Sequence, residues 1–467
     1  MDPTLTVNGE VSFWHAALGG AGATRPALPG PTDADVCVVG AGYTGLWTAW
    51  YLSRLDPGLR IVVLEAAHVG FGASGRNGGW LSGILPGSRD RLAKGAGGRD
   101  GVLALQRQLR AAVGDVVAWT REQGVDADVA VGGSLAVATT GAGLGRLRAE
   151  LAEERDWGAS PDDIEELSPD AVNDRVRVAG AQGGLFSRHC ARIQPAKLVR
   201  GLADAVERHG VVLHENTPVE VVGPGLARTP LGDVRARWVV RATEGFTAGL
   251  PGHRRDLLPM NSSMIVTEPL DAPVWDAIGW QGAETVRDAA HAYVYAQRTA
   301  DDRIAIGGRG VPYRFGSRTD RGGATHEATI AALTTALHRL WPATAGAAIA
   351  HGWCGVLGVA RDWCPTVAAD PSTGLAWAGG YVGDGVTTAH LAGRTLAELL
   401  TGTDSERTRL PWIGRSPRRW EPEPFRWAGV RAVYSLYRRA DRSEAAAPQR
   451  AASSPLAVLA DRISGRP

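Results

Sequence analysis

The feature that most constrains the fold of this 467-residue chain is a glycine turn near its start. The apolar run 36–39 predicts a buried parallel strand, and residues 44–55 predict a helix. The sequence G-x-G-x-x-G joins them. Gly40 permits the tight turn, Gly42 lets a pyrophosphate approach, and Gly45 allows the helix to pack closely on the strand. The segment predicts a Rossmann-type unit that binds a dinucleotide; the alternative is a glycine turn without a ligand.

An acidic residue supports the dinucleotide interpretation. A second predicted strand, 60–64, is followed by Glu65, which lies 20 residues after Gly45. A carboxylate at this position accepts hydrogen bonds from ribose hydroxyls and disfavours a 2′-phosphate. The N-terminus of the helix offers free N–H groups and the positive end of its dipole to the phosphates. This pattern fits NAD and FAD alike.

Two further glycine clusters favour FAD. Residues 70–79 (GFGASGRNGG) come directly after the second strand, where an extended flavin could use a second loop, with Ser74 near its pyrophosphate and ribityl chain. Residues 379–387 (GGYVGDGVT) open a helix with a regular apolar face. The positive end of that helix suits the N1–C2=O edge of a reduced flavin, where negative charge develops. Three clusters in this order predict a flavoprotein.

Composition excludes several other classes of protein. Hydrophobic residues make up 44%, charged residues 21%, and the net charge is +1, which indicates a soluble globular protein without a nucleic-acid partner. The cysteines form no C-x-x-C pair and the histidines no zinc pattern, so we expect no metal. The first 30 residues lack the pattern of a signal peptide, and no run is apolar enough to cross a membrane. We therefore expect a cytoplasmic location.

The expected fold class is α/β: a Rossmann-type FAD-binding domain with an inserted antiparallel-sheet substrate domain. A strand-rich block, 257–309, lies between the two ends that carry the glycine motifs, and Asp301–Asp302 predicts a hairpin turn within it. The end of the chain is predicted to be disordered. The predicted segments are a lead-in (1–33), three FAD-binding parts (34–100, 186–250, 346–410), two substrate-domain parts (101–185, 251–345) and a basic C-terminal extension (411–467).

Several segments resemble a known family. VVGAGYTGLWTAWYLSRL, VVLEA, GASGRNGGW and WAGGYVGDGVTTAHLAGRTLAELL are similar to the D-amino acid oxidase-like FAD oxidoreductases, in particular the γ-glutamylputrescine oxidase-like branch. The resemblance implies the two-domain architecture of amine and amino-acid oxidases. It also implies transfer of a hydride from a carbon next to nitrogen to flavin N5, giving an imine that hydrolyses.

The resemblance also assigns cofactor contacts. Those expected on the AMP half are Gly40, Ala41, Gly42, Thr44, Gly45, Glu65 and Ala66, with Val219 at the adenine side. Those expected along the pyrophosphate and isoalloxazine are Gly72, Ser74, Arg76, Asn77, Gly78, Gly79, Thr243, Gly355, Gly383, Asp384, Gly385, Val386 and Thr387.

The chain departs from the pattern of that family at three points. Glu244 stands where family members often carry Asn. Cys354 lies near the position at which sarcosine oxidase-like relatives attach their flavin, but one residue out of register. The region around Arg76 and Asn77 lacks the histidine that other relatives use for attachment. The last two departures predict noncovalent FAD.

Four residues are candidates on the substrate side. The segment 291–297 alternates with period 2, so Tyr293, Tyr295 and Gln297 share one face. The two tyrosines could hold an amine over the flavin by cation–π contact. Arg309 could clamp a carboxylate. His351 is a further candidate near the flavin face. Structural packing of the tyrosines and the histidine, and simple exposure of the arginine, are the alternatives.

The predicted function is FAD-dependent oxidation of an amine or amino acid, with that small molecule and O2 as partners. Alternatives are a flavin monooxygenase reduced by NAD(P)H and a flavin-bearing binding protein. A third is a membrane-associated dehydrogenase that reduces quinone, because residues 411–444 carry eight arginines interleaved with aromatic residues. We expect this segment to pack on the FAD-binding domain instead, with its arginines in water and at most weak contact with a membrane surface.

Overall fold

The computed structural model describes residues 5–319 and 322–466. Its strands are β1 (Val7–Asn8), β2 (Thr32–Val39), β3 (Ile61–Leu64), β4 (Trp80–Ser82), β5 (Ser134–Ala138), β6 (Ile164–Leu167), β7 (Gly183–Ser187), β8 (Cys190–Arg192), β9 (Val212–His214), β10 (Val221–Gly223), β11 (Leu226–Thr229), β12 (Gly232–Arg241), β13 (Leu258–Thr267), β14 (Thr285–Asp288), β15 (Val294–Arg298), β16 (Ile304–Gly308), β17 (Ile349–Val359), β18 (Thr366–Asp370) and β19 (Leu375–Gly379). Its helices are α1 (Phe13–Ala16), α2 (Tyr43–Leu55), α3 (Arg89–Leu92), α4 (Gly98–Glu122), α5 (Gly141–Asp156), α6 (Pro169–Arg175), α7 (Pro195–Arg208), α8 (Ala272–Ile278), α9 (Glu327–Leu340), α10 (Gly385–Thr401), α11 (Phe425–Ala445) and α12 (Pro455–Ser464).

The smaller sheet contains the predicted βαβ unit. Its parallel strands lie in the order β9-β3-β2-β12-β19, with β10 and β11 continuing antiparallel from β12, and β18 from β19. Strand β3 is apolar throughout and buried along its length, as expected of a parallel strand covered on both faces. Helices α2 and α10 pack very closely, because a Cβ on Gly393 would lie 2.6 Å from that of Trp47. The strand–turn–helix–strand prediction is confirmed.

The larger sheet has the order β1-β17-β13-β16-β15-β14-β5-β7-β6. Its pairs are antiparallel except β1 with β17 and β14 with β5. The predicted hairpin joins β15 to β16, where the Thr299 N–H donates to the Arg303 carbonyl at 2.9 Å. Helices α8 and α9 cover one face and contribute Trp275, Ile278, Leu333 and Leu337 to its core. The expected fold class, a Rossmann-type domain with an inserted, largely antiparallel sheet, is confirmed.

Three elements lie elsewhere than the predicted segments imply. Helix α4, expected in the substrate domain, packs against α10 on the side of the smaller sheet, because its apolar stripe shares a core with α2 and α10. Strand β17, expected in the FAD-binding domain, pairs along its length with β13 of the larger sheet. The lead-in, expected to be irregular, contains β1 and the buried side chains of α1. We propose domain boundaries that follow these contacts.

The end of the C-terminal extension corrects a prediction, because helix α12 (Pro455–Ser464) forms where disorder was expected. Val433 and Tyr437 of α11 pack on Leu258 of β13 and Val359 of β17. The Tyr437 hydroxyl donates to Asp461 of α12 at 2.6 Å, which ties the two helices together. The exposed arginines of α11 are Arg431, Arg438, Arg439 and Arg442. Thus α11 packs on two strands of the larger sheet rather than on the FAD-binding sheet.

Among the residues described, no helix combines the length and the apolar character needed to cross a membrane.

Tyr437→Ala should destabilise the protein by about 3–5 kcal/mol, because it removes a fully buried aromatic side chain and its hydrogen bond. Denaturant unfolding of the holoprotein measures the effect. Arg438→Ala, the exposed neighbour on α11, is the matched control and should change stability by less than about 0.5 kcal/mol. Equal effects of the two substitutions would show that α11 is not part of the folded core.

Candidate active site

A cavity of about 900 Å³ lies where the two sheets meet. The predicted cofactor residues that line it are Gly40, Gly42, Thr44, Glu65, Ala66, Gly72, Ser74, Arg76, Asn77, Gly78, Val219, Thr243, Gly355, Gly383, Asp384, Gly385 and Val386. The predicted substrate residues that line it are Tyr293, Tyr295 and Arg309. Ala41, Gly45, Gly79, Thr387 and His351 do not belong to its lining. One cavity thus brings together residues from all three glycine clusters and from the larger sheet.

The first glycine turn brings backbone unusually close to backbone. Gly40 has φ +107°, and a Cβ there would lie 2.7 Å from the Ala242 carbonyl oxygen. A Cβ on Gly45 would lie 2.0 Å from the Gly40 carbonyl oxygen, so α2 can begin directly against the strand only with glycine at this position. Gly42 is the N-cap of α2 and provides no side-chain cap. The first turn of α2, with Tyr43 and Thr44, therefore begins at the wall of the cavity.

Glu65 closes the same end of the cavity. Its carboxylate accepts from the Ala41 N–H at 2.9 Å and from the Ala67 N–H at 3.0 Å. Burial raises the pKa of Glu65, and these backbone donors oppose that shift. Val219, on the opposite wall, packs against the core of the smaller sheet and lines the cavity. The Glu65 carboxylate, held by backbone N–H groups, is suited to accept from a ribose, and the apolar wall at Val219 is suited to contact the base.

The second glycine loop connects the two sheets. The Ser74 hydroxyl accepts from the Tyr43 N–H in the first turn of α2 at 2.8 Å. The Asn77 amide donates to the Ser74 carbonyl at 2.9 Å and accepts from Gly79 at 2.8 Å, which fixes the turn. A Cβ on Gly78 would lie 2.7 Å from the Tyr295 ring. The loop therefore lies against the predicted substrate strand, and only glycine fits at this contact.

The third glycine cluster presents the N-terminus of α10 to the cavity. Tyr381 in this turn bonds Thr44 of α2 through their hydroxyls at 3.0 Å. Asp384 is the N-cap of α10, but its side chain makes no cap bond. The Thr387 hydroxyl is buried and has no hydrogen-bond partner among the described residues. The positive end of this 17-residue helix is thus open to an electron-rich group.

Glu244, the residue that departs from its family pattern, holds this turn in place. Its carboxylate accepts from the N–H groups of Gly358 at 3.2 Å, Gly380 at 3.0 Å and Tyr381 at 3.4 Å. Burial raises the pKa of Glu244 to about 7 despite these donors. A Cβ on Gly379 would lie 2.7 Å from the Glu244 Oε2. The presence of Glu in place of Asn at position 244 did not predict these contacts, because they form only when segments far apart in the sequence come together.

The substrate side contains tyrosines and an unpaired guanidinium. Tyr295 and Gln297 share one face of β15, as the alternation predicts: the Tyr295 hydroxyl bonds Ser262 at 2.8 Å, and the Gln297 amide donates to the Gly78 carbonyl at 2.8 Å. Tyr293 precedes the strand and lines the cavity beside them. The Nη1 of Arg309 is buried without a hydrogen-bond partner in the described part of the chain. Arg309 is therefore not an exposed structural arginine.

Two candidates point away from the cavity. The His351 Nε2 lies 2.7 Å from the Gly9 carbonyl oxygen, and its ring packs against Phe13 and Trp353. This position corrects the expectation that His351 lies near the flavin face. The Cys354 Sγ lies 3.4 Å from the Ala324 carbonyl oxygen, whereas its neighbour Gly355 faces the cavity. Side chains alternate along β17, so the thiol lies on the wrong face to reach a flavin in the cavity.

The sequence did not indicate that the C-terminal extension forms part of the cavity wall. Tyr434 of α11, Asp461 of α12 and Arg466 all line it. Helix α11 also holds the loop before β15, because both carboxylate oxygens of Asp441 accept from backbone, the N–H groups of His291 at 2.8 Å and Ala292 at 3.0 Å. The spacing of apolar residues in α11 was enough to predict a helix with a buried face. It did not indicate which element that face packs against.

Known proteins share this arrangement. A family model described as FAD dependent oxidoreductase matches residues 35–399. The chain belongs to this family. The oxidoreductase is 30% identical over 441 residues to gamma-glutamylputrescine oxidoreductase of Escherichia coli (strain K12), covering 91% of this chain and 98% of that protein. It is 28% identical over 390 residues to probable oxidoreductase OrdL of Haemophilus influenzae, covering 81% and 85%. The resemblance drawn from the motifs is confirmed.

Solved structures confirm the two-domain fold. Glycine oxidase from Geobacillus kaustophilus superposes with a TM-score of 0.68 at 20% identity, covering 80% of this chain and 96% of that chain. L-proline dehydrogenase from P. horikoshii superposes with a TM-score of 0.66 at 18% identity, covering 82% and 96%.

The residues of this family member fit FAD along the whole cavity. Gly40, Gly42 and the N-terminus of α2 would hold the pyrophosphate, and Glu65 would accept from the ribose. At the other end, the uncapped N-terminus of α10 would face the N1–C2=O edge of the flavin. The loop between these ends, held by Ser74 and Asn77, bridges the distance.

Gly42→Val should abolish FAD retention, because its Cβ would lie 2.9 Å from the Ser74 Oγ and its methyl groups would fill the approach to the pyrophosphate. Flavin absorbance per protein after gel filtration measures retention, and acid should release the wild-type flavin into solution. Gly114→Val is the control, since nothing lies within 4 Å of a Cβ at that helical glycine. Stoichiometric FAD in the Gly42 variant would contradict this placement of the cofactor.

Glu244→Gln should remove a pH dependence of stability. The folded pKa of Glu244 is raised from 4.5 to about 7, so its neutral form is favoured in the folded protein. The resulting stability is complete below about pH 4.5 and is lost as pH rises through about 7, a change of about 3 kcal/mol.

Unfolding free energies at pH 5.0 and 8.5 test this sign. The wild type should lose more stability over that range than the Glu244→Gln variant. Glu122→Gln, at an exposed position in α4, should behave like the wild type. Parallel pH profiles for the wild type and Glu244→Gln would contradict a buried, titrating carboxylate.

Proposed function

We propose that this family member oxidises the C–N bond of an amine or amino acid. The observation that carries the proposal is the Arg309 guanidinium, whose Nη1 is buried, which binds no described residue and which faces the same cavity as the glycine turn before α10. A Cβ on Gly383 of that turn would lie 3.5 Å from the Arg309 Nη2. A carboxylate bound at Arg309 would therefore lie beside the end of the cavity that suits the flavin ring. The printed names of the relatives, gamma-glutamylputrescine oxidoreductase and glycine oxidase among them, support this substrate class.

The protein's own residues would bind and orient the substrate. FAD, when bound, supplies an acceptor for the hydride at N5. Arg309 would hold a substrate carboxylate by charge-assisted hydrogen bonds. Tyr295, fixed by its bond to Ser262, and Tyr293 would bound the amine side with aromatic faces. Hydride transfer from a neutral amine would give an iminium ion, which water hydrolyses to a carbonyl compound with release of the nitrogen as ammonium or an amine.

We propose O2 as the electron acceptor and a cytoplasmic location. The buried face of α11 supports the choice of O2, because its aromatic residues pack within the protein rather than on a membrane. Its exposed arginines and the exposed Phe425 favour the quinone-reducing alternative. Peroxide measurements distinguish the two acceptors.

Anaerobic titration with a panel of amines and amino acids should bleach the flavin, and O2 should restore it with one H2O2 per substrate oxidised. Arg309→Met should lower kcat/KM for carboxylate-bearing substrates about 10- to 150-fold, the equivalent of about 1.5–3 kcal/mol, and spare plain amines. Arg439→Met, exposed on α11, is the control. Bleaching by NADPH alone would indicate a monooxygenase. Negligible peroxide together with binding to anionic liposomes would indicate a membrane-associated dehydrogenase.

A further inference from the structure

Asp384 occupies the N-cap position of α10 without capping the helix. An aspartate there usually accepts from the N–H of the second or third helical residue. Here the side chain makes no such bond, and its carboxylate has no hydrogen-bond or ion-pair partner among the described residues. The residue lines the cavity, with Gly383 and Gly385 on either side. Its carboxylate is therefore available to a ligand.

The positive charges around Asp384 belong to the larger sheet. Arg309, directly after β16, and Arg287, in β14, both act on its carboxylate. Arg287 is already bound, because its Nη2 donates to both carboxylate oxygens of Glu150 at 2.6 Å. Arg309 binds no described residue and forms no ion pair with Asp384. The cavity thus contains two opposite charges that act on each other, and neither forms a hydrogen bond or an ion pair with a described residue.

This arrangement indicates a ligand that carries both charges. A partly buried charge without a partner costs free energy, which a complementary group on a ligand offsets. The N1–C2=O edge of an oxidised flavin presents only acceptors, whereas an ammonium group presents three donors. We propose, on the basis of the proposed function, that Asp384 binds the substrate ammonium while Arg309 binds its carboxylate, so that the cavity selects zwitterionic amino acids.

The proposal has a consequence for pH. Burial raises the pKa of Asp384 to about 6, so binding of an ammonium should weaken as pH falls below that value. The other charged or titratable groups that face this region are arginines, tyrosines, a thiol and a carboxyl. They are Arg287, Arg309, Tyr293, Tyr295, Tyr434 and Cys190, with Glu244 behind the same turn. A variant at Asp384 separates its titration from that of Glu244.

Three probes of similar size test the two charges separately on the holoenzyme. Propylamine carries the ammonium alone, propanoate the carboxylate alone, and each enantiomer of alanine carries both. Perturbation of the flavin spectrum without oxygen gives their dissociation constants. Asp384→Asn should weaken propylamine at least about 10-fold and leave propanoate unchanged or tighter. Arg309→Met should weaken the binding of propanoate and leave that of propylamine unchanged or tighter. Both variants should bind alanine more weakly than the wild type does.

The pH dependence and a matched control complete the test. Propylamine binding to the wild type should weaken from pH 7.5 to pH 5, and binding to Asp384→Asn should not. Asp170→Asn, the same chemical change at an exposed position outside the cavity, should bind all probes as the wild type does. Unchanged propylamine affinity in Asp384→Asn, or loss of FAD from that variant, would overturn the assignment.

The outcomes also separate this proposal from the proposed oxidation. If no amine or amino acid reduces the flavin, the proposed oxidation is wrong. The binding site is still supported in that case if propylamine affinity depends on Asp384 and propanoate affinity on Arg309. If the panel is oxidised and Asp384→Asn binds propylamine normally, the oxidation stands and the role of Asp384 fails.

Discussion

The carboxylate of Glu244 is bonded to both sheets at once. Its residue follows β12 of the smaller sheet, and it accepts from Gly358 of β17 in the larger sheet and from Gly380 and Tyr381 after β19. No side chain could stand at Gly358 or Gly379 without meeting this carboxylate, since an added Cβ would come within 2.8 Å and 2.7 Å of it. The cavity lies between the surfaces that this contact joins. Its width, and the direction of the N-terminus of α10, therefore depend on one acid in the wall of the cavity.

The parts of the site that could be predicted are those encoded by neighbouring residues. The turn at Gly40, Gly42 and Gly45 is determined by six consecutive residues. Glycine is needed there because two stretches of backbone approach closely where the chain folds back on itself. The same holds for the loop that contains Ser74 and for the turn before α10. The alternation of Tyr295 and Gln297 correctly assigned both to one face, since the period of a strand is a local property.

The parts that could not be predicted depend on contacts between segments far apart in the chain. Cys354 and Gly355 are neighbours, yet only the pairing of β17 with β13 decides which of them faces the cavity. The amphipathic pattern of helix α4 is compatible with packing on the side of either sheet. The structure shows that its apolar face is buried against α10. His351 illustrates the same limit, because proximity to a functional motif in sequence does not indicate the direction of a side chain.

The conformation of the loop from Ala289 to Tyr293 depends on helix α11, which the ribosome synthesises much later than the loop. His291 and Asp441 are 150 positions apart, and the bond between them fixes one wall of the cavity. At about 5–20 residues per second, a ribosome would need roughly 8–30 s to synthesise the intervening chain. During that interval the glycine turns could already form, but the wall could not. Substitutions that slow the docking of α11 would therefore lower the yield of folded protein in the cell while leaving the molecules that do fold unchanged.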